Sequence, residues 1–207
     1  MPGDAPDRRT AERPMKPRIA IAGDGNVGTA LQKGLTRAGY QATAVGKEPT
    51  KLREAALSAQ VIILAIPFGA VDDTLRELGT AADGKVLVDA TNALDKQMKL
   101  AVGLTTSGAE ELQKKAPKAK VVKAFNTAFA GTMATGAVKG EKITLFVAGD
   151  DKAAKESVIA MGKDIGFDAI DGGPLQNARW LEAMAVQIIQ LAYGSGMGAE
   201  MGFRLIR

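Results

Sequence analysis

The sequence predicts an α/β fold, a doubly wound parallel sheet with a C-terminal extension that ends in one long helix. Three observations carry this. Short unbroken apolar runs recur along the chain, as strands covered on both faces require. Amphipathic stretches of helical period separate them. The C-terminal stretch breaks the alternation and reads as a single long helix.

Residues 1–17, MPGDAPDRRTAERPMKP, hold four of the eight prolines and no apolar run, so they read as a disordered tail. That leaves 18–207 as a single domain, with a core unit over 18–125 and an extension over 126–207. The first strand is "IAIA" (19–22). A helix follows, in which Val27, Ala30, Leu31, Gly34, Leu35 and Ala38 share a face and Gly39 closes the end. "QATAV" is the second strand and ends at Val45. "VIILAI" (61–66) is the third, and Val71, Leu75 and Leu78 mark the helix after it. "KVLVDA" (85–90) and "KVVKAF" (120–125) are the fourth and fifth. Between them Ser107 and Glu110 form a capping box at a helix start. "ITLFVAG", a helix from Asp151 and "FDAI" extend the pattern. Strands alternating with helices imply crossovers and a parallel sheet. Last comes a Gly-Gly-Pro turn and a helix over 175–193, with Leu181, Ala185, Ile188, Ile189 and Ala192 on one face, ended by Gly194, Gly196 and Gly198.

Composition narrows the chemistry. Apolar residues make up 46% of the 207, enough for a packed core. The net charge of +4 is too mild to argue for nucleic acid but suits a small anionic ligand. There is no cysteine, so disulfides, thiolate nucleophiles and iron–sulfur clusters are excluded. There is no histidine, so the commonest general base and metal ligand are missing, and no metal site is expected. No apolar run is long enough to span a bilayer. A cytoplasmic protein without a membrane partner is the expectation.

Gly23-Asp24-Gly25-Asn26-Val27-Gly28 fits G-x-G-x-x-G, and it follows a strand and opens a helix, the context such a loop requires. In a Rossmann-type unit the first glycine permits a tight turn, the second lets a pyrophosphate approach the backbone, and the third lets helix and strand pack closely. The helix start adds free N–H groups and the positive end of its dipole. Where many such loops have an acid for the adenosine ribose, this chain reads Gly46-Lys47-Glu48, with Lys51 further on. Gly46 gives room, and Lys47 with Lys51 can face a 2′-phosphate, which favours NADP. A one-residue shift of the strand end would instead put Glu48 on a ribose diol.

The glycine loop, "AIPFGAV", "VDATNAL", "VVKAFNT" and "DGGPLQNARWLEAMA" leading to "GMG" together resemble the NADPH-dependent reductases of the deazaflavin coenzyme F-420. They also resemble the reductase domain of the STEAP-type metalloreductases. The resemblance spans 18–203. It implies that NADP lies across the sheet edge, with its nicotinamide walled by Ile66 and Pro67 and with Ala124, Phe125 and Asn126 beneath or beside it. It further implies a flavin-like or deazaflavin F-420 acceptor held among Phe68, Asn126, Thr127, Met197 and Gly198. Asn126 stands where some members of that family carry a histidine. Hydride transfer between two such rings needs orientation and exclusion of water, with no side chain acting as acid or base. No catalytic side chain is therefore assigned. Of the two tyrosines, Tyr40 follows the first helix, at the wrong end for the site. On the last helix Trp180, Met184, Ile188, Leu191 and Ala192 form an apolar stripe wider than one sheet face is expected to cover, and a two-fold dimer is expected through it.

Overall fold

The computed structural model describes residues 15–207. The tail expected over 1–17 lies outside the described residues as far as residue 14. Just after it, Lys16 pairs with Asp164 at 2.6 Å and stands 4.4 Å from the centre of the Tyr40 ring.

The elements follow the predicted order. β1 (Ile19–Ala22) leads to α1 (Asn26–Arg37), β2 (Ala42–Val45), α2 (Pro49–Ser58), β3 (Val61–Leu64), α3 (Val71–Leu78) and β4 (Val86–Asp89). Then come α4 (Gly108–Lys115), β5 (Lys120–Lys123), α5 (Ala130–Met133) and a hairpin of β6 (Ala137–Val138) with β7 (Glu141–Lys142). β8 (Thr144–Gly149), α6 (Lys152–Ile165), β9 (Asp168–Asp171) and α7 (Ala178–Ile189) complete the chain, with a π-helical turn over Gln190–Gly194. The helix expected over 175–193 is therefore a 3-10 turn (Leu175–Asn177), α7 and the π turn.

One seven-stranded sheet runs in the order β2-β1-β3-β4-β5-β8-β9. Alternate strand residues face opposite layers, which explains why the runs are apolar throughout. Ile19, Ile21, Val61 and Ile63 pack with α1, α5 and α6. Ala20, Ala22, Ile62 and Leu64 pack with α2, α3 and α4. The first five strands are parallel. β8 joins β5 antiparallel, with Val122 opposite Gly149, and β9 runs parallel to β8. The last unit thus extends the sheet as expected but runs in the reverse direction. Strand direction there is set by the β6–β7 hairpin region and not by any periodicity within "ITLFVAG".

Caps agree with the sequence. Ser107 Oγ accepts from Glu110 N at 3.1 Å at the start of α4, and Asp151 Oδ1 accepts from Ala154 N at 2.8 Å at the start of α6. No helix among the described residues is long and apolar enough to cross a membrane.

Candidate functional site

The glycine loop sits at the C-terminal edge of β1, between the ends of β2 and β3. Two of the three glycines are required by the fold itself. Gly23 adopts φ +107°, and a Cβ there would run into the Ala65 carbonyl, 3.0 Å from its carbon. A Cβ on Gly28 would collide with the Gly23 carbonyl group, 2.8 Å from its carbon, so helix and turn touch directly. Gly25 differs: nothing lies within 4 Å of a Cβ built there. The fold does not need that glycine for packing, and the open space before α1 is where a pyrophosphate would approach the backbone.

A cleft of about 430 Å³ continues from this loop, lined by Asp24, Gly25, Gly46, Lys47, Ile66 and Pro67 among others. Ile66 is half-buried and Pro67 exposed. Lys47 is thus at the cleft. Lys51 is not part of its lining and pairs with Glu48 at 2.6 Å, which raises the Lys51 pKa. Lys47 thus borders the cleft while Lys51 is engaged by Glu48.

A second cavity of about 230 Å³ lies beyond the ends of β4 and β5, under α7. Asn26, Val27, Asn92, Asn126, Thr127, Phe129, Ile188 and Tyr193 contribute to its wall. Asn26 and Val27 open α1, so the two cavities flank the same helix start. Tyr193, on the π turn, packs edge-on against Phe129 with centroids 5.9 Å apart. Asn126 is buried, and its Nδ2 donates to the Leu181 carbonyl at 2.8 Å and to Asn92 Oδ1 at 3.3 Å. Its Oδ1 has no partner. A buried acceptor left unpaired costs roughly 1–3 kcal/mol, a cost that a ligand bearing an N–H or O–H donor removes.

Other expected site residues lie elsewhere. Ala124 and Phe125 are fully buried and line neither cavity. Phe125 holds a left-handed φ of +68° and packs edge-on against Phe167. This sharp turn at the end of β5 sends Phe125 into the core and Asn126 toward α7. Phe68 is half-buried under α4, its ring 2.9 Å from where a Gly108 Cβ would stand. Met197 and Gly198 are exposed beyond the π turn, outside the wall of the second cavity. Tyr40 is remote from both cavities. Its hydroxyl donates to Asp164 at 2.9 Å, and burial together with that carboxylate raises its pKa far above the ordinary phenol value.

The sequence reading missed a buried charge cluster. Lys123 Nζ lies 2.9 Å from Asp89 Oδ2, 3.2 Å from Glu182 Oε1 and 2.7 Å from the Thr91 carbonyl. All three charged side chains are buried. Glu182 also accepts from Gly108 N at 3.0 Å and Ala109 N at 3.3 Å, capping α4 from α7. Burial lowers the Lys123 pKa, but Asp89 and Glu182 outweigh it, and the net shift is upward. The available signal was a lysine inside an apolar strand, "VVKAF", which needs a buried partner. The segments "VDATNAL", "VVKAFNT" and "RWLEAMA" each supply one member.

Residues 48–93 match the family model "NADP oxidoreductase coenzyme F420-dependent". The F420-dependent NADP reductase of Methanocaldococcus jannaschii is 30% identical over 163 residues, covering 76% of this chain and 71% of that protein. The chain belongs to the F420-dependent NADP oxidoreductase family. A candidate F420-dependent NADP-reductase from Arthrobacter sp. FB24, known from its crystal structure, is 28% identical with a TM-score of 0.84, covering 92% of this chain and all of that one. Metalloreductase STEAP3 of Rattus norvegicus is 29% identical over 88% of this chain, which spans only 39% of its length. Family membership brings NADP binding, and the open space at Gly25 leaves room for a dinucleotide beside the glycine loop.

Proposed function

We infer that this protein is an NADP-dependent oxidoreductase that moves hydride between the nicotinamide and a flavin-like or deazaflavin ring. The observation that carries the reading is the make-up of the second cavity. Its wall consists of amides, one threonine, backbone and apolar groups, with Tyr193 as its only titratable side chain. Such a wall orients and dries a reaction but supplies no buried acid or base. The dinucleotide supplies the hydride chemistry when bound.

The roles then divide as follows. Gly25 and the start of α1 hold the pyrophosphate. Lys47 faces the 2′-phosphate, with Lys51 available once it leaves Glu48. Ile66 and Pro67 wall the dinucleotide along the β3 loop. Asn126, held by the Leu181 carbonyl, offers its free Oδ1 to a ligand donor, and Thr127 and Tyr193 border the acceptor. Phe68, Met197 and Gly198 lie outside this cavity and meet the acceptor only where it extends beyond the wall. A two-fold dimer through the outer face of α7 completes the reading. Ile188 and Ala192 are buried by the chain itself, while Trp180 is 57% exposed.

The test uses NADPH deuterated at nicotinamide C4 with flavin, deazaflavin and ferric-chelate acceptors. Direct transfer of deuterium to a flavin or deazaflavin ring, without exchange with solvent, is the expected result. Turnover confined to ketones or imines, with a sharp bell-shaped pH profile, would overturn the acceptor class. Light scattering at tens of micromolar, about the range of ordinary micromolar affinities, tests the dimer, which a monomer would refute.

A further inference from the structure

The end of β2 carries no side chain of its own, because Gly46 follows Val45. The space above it is filled from elsewhere. A Cβ at Gly46 would stand 2.6 Å from Cγ and 2.7 Å from Oδ1 of Asp24, so the carboxylate of the glycine loop lies directly over Gly46. In dinucleotide folds the acid that reads the adenosine ribose diol projects from this point of β2. Here an acid occupies the same location but reaches it from the loop after β1. Asp24 is exposed and lines the cleft, so the carboxylate is free to meet a ligand.

The surrounding charge agrees. The cleft lining includes Asp24, Asp73 and Glu77 against Lys47 as its one cation. Arg76 neutralises Asp73, and Lys51 is held by Glu48. A 2′-phosphate entering beside Gly46 meets the Asp24 carboxylate before it meets a second cation.

We propose that Asp24 is the residue that determines dinucleotide specificity, accepting from the ribose hydroxyls of NADH and opposing the 2′-phosphate of NADPH. The protein therefore uses both dinucleotides, with Lys47 retaining NADPH against that opposition. Discrimination of this kind rests on a repulsive group as much as an attractive one. The proposal rests on the glycine cleft being the dinucleotide site.

The test measures dissociation constants for NADH and NADPH with the whole chain, its Asp24→Asn variant and its Gly46→Ala variant. Wild type binds both, with constants within about ten-fold of each other. Asp24→Asn keeps the shape, removes the charge and shifts the ratio toward NADPH by about ten-fold or more. Gly46→Ala pushes the carboxylate aside while its charge is kept, so the ratio moves in the same direction even though the methyl also takes room from the ligand and weakens both dinucleotides. Unchanged ratios in both variants, a shift toward NADH, or a wild-type preference for NADPH above about a hundred-fold would overturn the role of Asp24. If wild type binds neither dinucleotide, the cleft assignment falls and this inference with it.

Discussion

Replacing Lys123 with methionine tests whether the buried charge cluster holds α7 to the sheet. The substitution keeps most of the side-chain volume but strands Asp89 and Glu182, which face Lys123 at 2.9 and 3.2 Å, without a cation. It also removes the donor to the Thr91 carbonyl. Removing one partner of a buried ion pair costs roughly 3–5 kcal/mol. At about 2–4 °C per kcal/mol for a chain of this size, the midpoint of thermal unfolding falls by about 10 °C. Denaturant unfolding gives the free energy directly. Adding Glu182→Gln to the variant removes one stranded charge, so the two substitutions together cost less than their sum. In wild type the Lys123 pKa is raised, so its contribution is complete below the ordinary lysine range and is lost only as pH rises through the higher folded value. Wild-type Lys123 therefore does not titrate across neutral pH, and any narrowing of the gap on acidification comes from proton uptake by the carboxylates that the variant strands. A loss under about 1 kcal/mol, or additive effects in the double variant, would refute the reasoning.

Gly25→Val should abolish dinucleotide binding in a titration while leaving the melting temperature unchanged, since no protein atom lies near its Cβ position. Replacing Lys47 and Lys51 by alanine should weaken NADPH more than NADH. Lys47 alone should account for most of a change of about ten-fold, which shrinks at high salt; equal losses for both dinucleotides would exclude a 2′-phosphate contact. Asn126→Ala should weaken acceptor binding more than NADPH binding, read as a larger rise in acceptor KM. Glu110 is held below the ordinary carboxylate range by its hydrogen bond to Arg179. Its stabilisation is present above the unfolded value and is lost as pH falls through the lower folded one. Arg179→Ala should therefore cost about 1 kcal/mol at pH 7 and nothing in strong acid, checked by unfolding at both pH values.

The β1–glycine loop–α1 unit was legible because its apolar run, its glycines and the Val27–Ala38 face are local signals, each fixed by backbone sterics or periodicity. The caps at Ser107 and Asp151 were legible for the same reason. Four features were not. The direction of β8 depends on the connection from β5 through α5 and the β6–β7 hairpin, which carries no periodic signal. The left-handed turn at Phe125 is enforced by tertiary packing against Phe167. The β6–β7 hairpin is too short to give a pattern. The cluster of Lys123, Asp89 and Glu182 joins residues far apart in sequence, and only the misplaced lysine in "VVKAF" hinted at it. Within the site, the open space at Gly25 and the place of Lys47 followed from motif spacing. The free oxygen of Asn126 and the reach of Asp24 over Gly46 arise only from the tertiary arrangement.

The reversal at β8 has a consequence for economy of chain length. Because β8 and β9 descend where β1–β5 ascend, β9 releases the chain away from the glycine-loop edge. The next helix must then climb back, and α7 does so alongside the first turn of α4, with Arg179 beside Glu110 and Glu182 beside Gly108. It overshoots the strand ends, and Ile188, Ile189 and Tyr193 roof the second cavity. Had β8 joined in the parallel sense, β9 would have finished at the ligand edge and α7 would have run downhill from it. The second cavity would then have lacked the roof that Ile188, Ile189 and Tyr193 give it. One change in strand parity lets α7 serve as the ceiling of the second cavity.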